Sequence, residues 1–430
     1  MKSALAIEPV TTPIRGTIQP PGSKSITNRA LVCAALADGS SRLAGALASE
    51  DTEVMIAALR ALGIDIQVDP EARAVEVQGC AGMIPATSAD LYVANSGTTI
   101  RFLTALVALG HGTFRLDGKP RMRERPIGDL IDGLAQLGAG AHYEDHEHCP
   151  PVVIEADGLR GGNVRMRGDV SSQYLSGLLM ALPYAATDAR LEIEGPLVSR
   201  PYVAMTMAVM RQFGAEVEEE RAGTFRVSAA ARYRGQPFAI EPDASAASYF
   251  WAAAAITQGT VTVTGLSRES LQGDVRFCEC LSRMGCLVDY GSDQITVTGG
   301  PLRGIATDMS EISDTVQTLA AVALFAKGPT TITGVGHIRH KETDRIGDLA
   351  NELRRLGATV EELADGLRIV PGELRPARIQ TYDDHRMAMS LAVVGLQSPG
   401  ISIEDPDCTA KTYPDFFADL DRLCGRGSTD

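Results

Sequence analysis

The chain has 430 residues, with 40 Lys or Arg against 54 Asp or Glu and a formal charge of −14. That acidity argues against a nucleic-acid binder, which carries a basic face. With 44% hydrophobic and 22% charged residues, the composition is that of a packed protein, not a disordered one.

The length suits two or three domains. The longest apolar stretches, such as 319–326, fall far short of the roughly 20 residues of a membrane helix. Residues 1–13 carry neither the charged start nor the apolar run of a secretion signal. A cytosolic protein without membrane or nucleic-acid partners is expected.

Taken in chain order, six small polar clusters each precede an Ala/Leu-rich predicted helix. They are Gly22-Ser23-Lys24-Ser25, Asn95-Ser96-Gly97-Thr98, Ser171-Ser172-Gln173, Asp243-Ala244-Ser245, Ser313-Asp314-Thr315 and Asp383-Asp384-His385-Arg386. Counted from Gly22, Asn95, Ser171, Asp243, Asp314 and Asp383, the spacings are 73, 76, 72, 71 and 69. A second helix follows in each unit and ends at a glycine: Gly63, Gly138, Gly214, Gly285, Gly357 and Gly425. Glycine suits a helix end that turns through positive φ.

Short β-branched alternations such as Thr260-Val261-Thr262-Val263-Thr264 predict strands between the helices. Each repeat of about 70 residues therefore reads as a small α/β subdomain. Six of them suit two domains of three, with the break between Phe238 and Pro242.

Eight cysteines in so long a chain do not make a disulfide scaffold. Cys278 and Cys280 point about 200° apart on a helix. His142, His146, His148 and Cys149 lie in a polar segment that reads as a hairpin loop. No metal site is expected.

Cations sit where acids usually gather. Lys24 and Arg29, Arg101, Lys341 and Arg345, and Arg386 all fall at or near predicted helix starts, where the helix dipole disfavours positive charge. Repeated at equivalent places, they point to a small polyanionic ligand held by basic side chains and helix amides.

The segment Pro20-Pro21-Gly22-Ser23-Lys24-Ser25-Ile26-Thr27-Asn28-Arg29 resembles the N-terminal signature of the 5-enolpyruvylshikimate-3-phosphate synthase family. The likeness continues through Asn95-Ser96-Gly97-Thr98-Thr99-Ile100-Arg101, Arg121-Met122-Arg123-Glu124-Arg125-Pro126, Ser171-Ser172-Gln173-Tyr174-Leu175 and Lys341-Glu342-Thr343-Asp344-Arg345. It ends with Asp384-His385-Arg386-Met387-Ala388-Met389 and the run 405–414.

The resemblance implies a two-domain, inside-out α/β barrel. Each domain would hold three βαβαββ repeats with helices inward, hinged around a central cleft. The domains implied are 22–241, mainly binding shikimate 3-phosphate, and 1–21 with 242–430, completing the phosphoenolpyruvate site. It also implies a monomer that needs no metal or organic cofactor. The activity implied is transfer of the enolpyruvyl group of phosphoenolpyruvate to the 5-hydroxyl of shikimate 3-phosphate.

By the same resemblance, Asp314 holds and deprotonates the acceptor hydroxyl, Glu342 moves the proton at the methylene carbon, and Lys24 touches both substrates. Asn95, Gly97, Arg125, Gln173, Arg345, Arg386 and Lys411 would bind phosphoenolpyruvate. Ser25, Arg29, Ser171, Ser172, Gln173, Ser199, Tyr202 and Lys341, with Lys24 and Asp314, would bind shikimate 3-phosphate. From the sequence alone Asp314 and the serines read as helix N-caps, and Arg101, Arg121 and Arg123 as structural.

Three positions depart from the family's common pattern: His337 stands where asparagine is frequent, Phe102 follows Arg101 where proline is frequent, and Asp314 has unusual neighbours. Sister enzymes that act on UDP-N-acetylglucosamine share the fold, but resemble Lys-Asn where this chain has Lys24-Ser25. They also usually carry a reactive cysteine in the loop that is here 119–125, which has none. A catalytically inactive anion-binding relative is the other alternative, and intact Lys24, Asp314, Glu342 and Arg386 count against it.

Overall fold

The structure is a computed structural model, and it describes residues 4–426. The chain divides into two compact units: Gly22–Ile240, the N-terminal unit, and Met1–Pro21 with Glu241–Asp430, the C-terminal unit. Helices α1 (Lys24–Leu36), α2 (Glu50–Ala61), α3 (Gly97–Val107), α4 (Gly128–Gln136), α5 (Ser172–Ala181) and α6 (Arg200–Gln212) belong to the first. Helices α7 (Ala244–Thr257), α8 (Phe277–Met284), α9 (Val316–Ala323), α10 (Gly347–Arg355), α11 (His385–Gly395) and α12 (Phe416–Leu423) belong to the second.

Odd-numbered helices open the repeats and form the interior. The α7 sequence ASAASYFWAAAAIT is apolar or small on every face and is buried throughout, as such a helix must be. Helices α7, α9 and α11 pack against one another and are joined by hydroxyls. Ser248 Oγ lies 3.0 Å from Thr318 Oγ1, which lies 3.1 Å from Ser390 Oγ. These three residues are 70 and 72 apart, the repeat's own period. In the N-terminal unit α3 packs on α1 and α5, and Asn28 Nδ2 of α1 donates to Thr98 Oγ1 of α3 at 2.8 Å.

Among the described residues, five of the six sheets share one four-stranded topology, and the last has three strands. In the second repeat, Ser88–Tyr92 runs parallel to His111–Asp117, which pairs antiparallel with Val152–Asp157, itself paired antiparallel with Gly140–Tyr143. That is the βαβαββ order. Two repeats borrow their opening strand: Pro237–Ala239 lies parallel to Ser40–Ala44, and Arg15–Ile18 lies parallel to Thr260–Thr264. In the last repeat Ile401–Glu404 pairs parallel with Ala377–Ile379 and antiparallel with Ala4–Ala6. The α/β, helices-inward architecture expected from the sequence is present within each unit.

All six repeat glycines take positive φ, from 74° at Gly425 to 117° at Gly285, so the period seen in the sequence is a series of helix C-caps. At Gly357, with φ 104°, a Cβ would sit 2.2 Å from the Glu373 carbonyl oxygen. Gly357→Ala is expected to cost about 2–4 kcal/mol of stability, read as a lower urea midpoint.

Candidate active site

In the C-terminal unit the carboxylate of Asp314 gathers three cations. Lys341 Nζ donates to Oδ1 at 2.6 Å, Arg386 Nη2 to Oδ2 at 2.8 Å, and Arg345 Nη1 to Oδ1 at 3.3 Å. The bare sequence reading of Asp314 as an N-cap is corrected: it lies in the 3₁₀ turn Ser313–Thr315, and Thr315 is the residue that precedes α9. Its side chain meets three cations.

Arg345 is fully buried. It donates through Nε and Nη2 to the Asp384 carboxylate at 2.7 and 3.1 Å, and its Nη2 lies 2.8 Å from Glu342 Oε2. Asp384 is also the N-cap of α11, accepting from the Arg386 amide at 2.8 Å. Lys411 is buried at the end of the 3₁₀ turn Pro406–Lys411.

A second correction concerns Lys341 and Arg345, expected at a helix start. Both precede α10, which begins at Gly347. The Ile346 and Gly347 amides donate to Asp344 Oδ1 at 3.1 and 3.0 Å. An acid takes the N-terminus, as the helix dipole favours, and the cations turn to carboxylates.

Burial pushes the Asp314 carboxyl up, but Arg386, Lys341 and Arg345 together hold it well below its ordinary value. Burial and then the Asp314 charge push Asp274 up to about 6, although Ser245 Oγ donates to it. His337 Nε2 lies 3.1 Å from Ser313 Oγ. Burial, then Lys341, depress this imidazole to about 4, so it is neutral at pH 7.

The N-terminal unit is built differently. Lys24, the first residue of α1, has its Nζ 3.1 Å from the buried Asp51 carboxylate, beside Ser25 in the same turn. Arg29 is buried, and burial depresses its guanidinium to about 10. Its Nε donates to Thr206 Oγ1 at 2.7 Å, its Nη1 to Ser25 O at 2.8 Å, and its Nη2 to Tyr202 O at 3.2 Å.

At the start of α3, Arg125 Nη1 donates to Asn95 O at 2.9 Å and to Asn95 Oδ1 at 3.1 Å. Arg101 Nη1 donates to Gly97 O and Gln173 Oε1, both at 3.1 Å, and Nη2 to Pro126 O at 3.1 Å. Ser171 caps α5 by accepting from the Gln173 amide at 3.3 Å, Ser172 opens that helix, and Ser199 with φ 52° precedes α6. The hydrogen-bond acceptors of Arg29 and Arg101 are all neutral, which leaves buried positive charge beside helix N-termini. An anion is the natural partner there.

Lys24, Ser25, Arg29, Asn95, Gly97, Arg125, Ser171, Ser172, Gln173, Ser199 and Tyr202 thus gather in the N-terminal unit, around the starts of α1, α3, α5 and α6. Asp314, Lys341, Glu342, Arg345, Arg386 and Lys411 belong to the C-terminal unit. Sequence reasoning missed Asp51 and Asp274; Asp274 carried no signal, because its partner Ser245 is 29 residues away. Among the described residues no group of three His, Cys, Asp or Glu side chains is arranged to hold a metal ion.

The family model for EPSP synthase (3-phosphoshikimate 1-carboxyvinyltransferase) matches residues 9–420. The chain belongs to the EPSP synthase family. It is 50% identical over 414 residues to a 3-phosphoshikimate 1-carboxyvinyltransferase of Nostoc punctiforme, covering 96% of this chain and 97% of that protein. A protein of the same name from Shewanella loihica is 46% identical over 422 residues, covering 97% and 99%. The solved structure of EPSP synthase from Acinetobacter baumannii is similar with a TM-score of 0.81 at 26% identity, covering 98% of each chain.

In this EPSP synthase family member the raised carboxyl of Asp274 has a thermodynamic signature. The folded state keeps that proton to about pH 6, above its release in the unfolded chain near pH 4. Its stabilising contribution is therefore complete below about pH 4 and lost as pH rises through 6. The Tm difference between Asp274→Asn and the parent protein is expected to move in the variant's favour between about pH 4 and 6.5 in a thermal melt series.

Proposed function

We propose that the chain transfers the enolpyruvyl group of phosphoenolpyruvate to the 5-hydroxyl of shikimate 3-phosphate by addition and elimination, releasing phosphate. One observation carries the residue-level reading: a single partly buried carboxylate, Asp314, is held by three cations suited to anionic substrates. Glu342 stands on the same cluster through Arg345.

The reaction needs a base at the hydroxyl, a proton carrier at the methylene carbon, and cations on phosphate and carboxylate. Asp314 takes the hydroxyl proton as the oxygen attacks. Glu342 delivers a proton to the methylene carbon, then removes one from the resulting methyl group as the carbon–phosphate oxygen bond breaks. Lys24 stabilises charge on both substrates. Arg125, Arg345 and Arg386 grip phosphoenolpyruvate by paired hydrogen bonds, with Lys411, Asn95, Gln173 and the Gly97 backbone.

Ser25, Arg29, Ser171, Ser172, Gln173, Ser199, Tyr202 and Lys341 bind shikimate 3-phosphate. The hydroxyls and amides at these helix starts suit a phosphate.

In the free protein Asp314 is a weak base, because three cations stabilise its charge. An arriving phosphate and carboxylate compete for Arg345 and Arg386, and each contact they take away returns basicity to Asp314. Phosphoenolpyruvate then arms the group that activates its partner.

This reading makes the protein a cytosolic, monomeric enzyme of aromatic amino acid biosynthesis that uses no organic cofactor. No helix among the described residues is long and apolar enough to cross a membrane.

Purified protein is expected to release phosphate from phosphoenolpyruvate with shikimate 3-phosphate and not with UDP-N-acetylglucosamine. Asp314→Asn and Glu342→Gln are each expected to lower kcat by about 10²-fold or more, with far-UV circular dichroism unchanged. Release at the parent rate in both variants overturns the base and proton-carrier roles. A Cβ on Gly97 would lie 2.4 Å from Arg125 Nη2 and 2.5 Å from Arg101 Nη1. Gly97→Ala is therefore expected to raise the KM for phosphoenolpyruvate by roughly 3- to 10-fold in steady-state kinetics.

A further inference from the structure

Glu352 lies on α10 and is fully buried, yet it touches no residue assigned to either substrate. Its Oε1 accepts from the Tyr382 hydroxyl at 2.9 Å and its Oε2 from the Gln380 amide at 3.1 Å. The Arg355 guanidinium approaches at 3.5 Å. Both hydrogen bonds go to one short turn. Within it Tyr382 and Asp383 take φ of 55° and 56°, two successive side-chain-bearing residues in the left-handed region, a strained conformation that surrounding contacts must hold.

The turn leads directly to Asp384, whose amide donates to Thr381 O at 2.9 Å. Asp384 then grips Arg345 and caps the helix that carries Arg386. Arg345 itself stands two residues before α10. The α10 segment therefore holds the turn at two points, through Glu352 on Gln380 and Tyr382, and through Arg345 on Asp384. A turn that relaxed from its left-handed backbone would move the Asp384 carboxylate. With it would go the bearing of both guanidinium groups.

We propose that Glu352 and Tyr382 are positioning residues that set Arg345 and Arg386 for phosphoenolpyruvate by fixing this turn. The inference rests on the reading of those two arginines as the phosphoenolpyruvate grip. It predicts a selective effect, because most groups assigned to shikimate 3-phosphate stand in the other unit. A displaced guanidinium weakens the grip on phosphoenolpyruvate directly, and reaches the second substrate only through Asp314, one of its ten assigned residues, so that substrate's affinity changes far less.

The test uses the whole enzyme in three variants: Tyr382→Phe, which removes one oxygen, Glu352→Gln, and Arg386→Lys as the reference. Tyr382→Phe and Glu352→Gln are expected to raise the KM for phosphoenolpyruvate by about 5- to 20-fold with kcat within about 3-fold. The dissociation constant of shikimate 3-phosphate, from calorimetry without phosphoenolpyruvate, is expected to stay within about 2-fold.

Unchanged KM in variants that fold, or equal weakening of both substrates, overturns the positioning role. If Arg386→Lys raises the KM and the other two do not, the positioning role fails and the grip reading stands. If Arg386→Lys leaves it unchanged, the grip reading fails and the positioning role with it. Should Glu352→Gln not fold, Tyr382→Phe decides the matter alone.

Discussion

Three cations share one partly buried carboxylate, and the functional cluster of the C-terminal unit depends on that bond set. A charge taken out of water costs several kcal/mol unless it is paired and hydrogen-bonded. Here the pairing is collective. Asp314 answers Lys341, Arg345 and Arg386, while Asp384 and Glu342 answer Arg345 a second and third time. Removing one member leaves a charge stranded, so the cluster holds its geometry as a unit. It also keeps the arginines fixed and desolvated before any substrate arrives, which lowers the ordering cost of binding.

The N-terminal unit pairs Lys24 with Asp51 but meets Arg29 and Arg101 with neutral groups. Arg29 and Arg101 are satisfied by carbonyls, hydroxyls and an amide side chain, which meet their hydrogen-bonding needs and leave their charge. One unit therefore stores its cations with counter-ions, and the other leaves these two arginines electrostatically open. Such a division suits substrates that carry several negative charges between them, because an open cationic field attracts and a paired one exchanges partners.

The repeat was legible because helix starts and helix ends obey local rules. Polar caps and terminal glycines recur at a fixed period, and all six glycines take the backbone conformation that makes glycine useful. The motifs carrying the family likeness were equally plain, since each is contiguous. What stayed hidden was pairing at a distance. Asp314 looked like a cap because its partners are 27, 31 and 72 residues away. Lys341 and Arg345 looked like first-turn residues because nothing local shows that Asp344 takes the helix start. The borrowed strands could not be seen from periodicity either, as Arg15–Ile18 pairs with Thr260–Thr264, at the far end of an intervening unit.

That last pairing has a consequence for how the protein is made. Gly22–Ile240 is continuous, so every strand of its sheets is synthesised before Glu241 and the residues that follow. The strands Ala4–Ala6 and Arg15–Ile18 emerge first of all, yet the edges they complete arrive with Ile401–Glu404 and Thr260–Thr264. Vectorial synthesis therefore favours a finished N-terminal lobe, while the earliest strands wait unpaired for the latest ones.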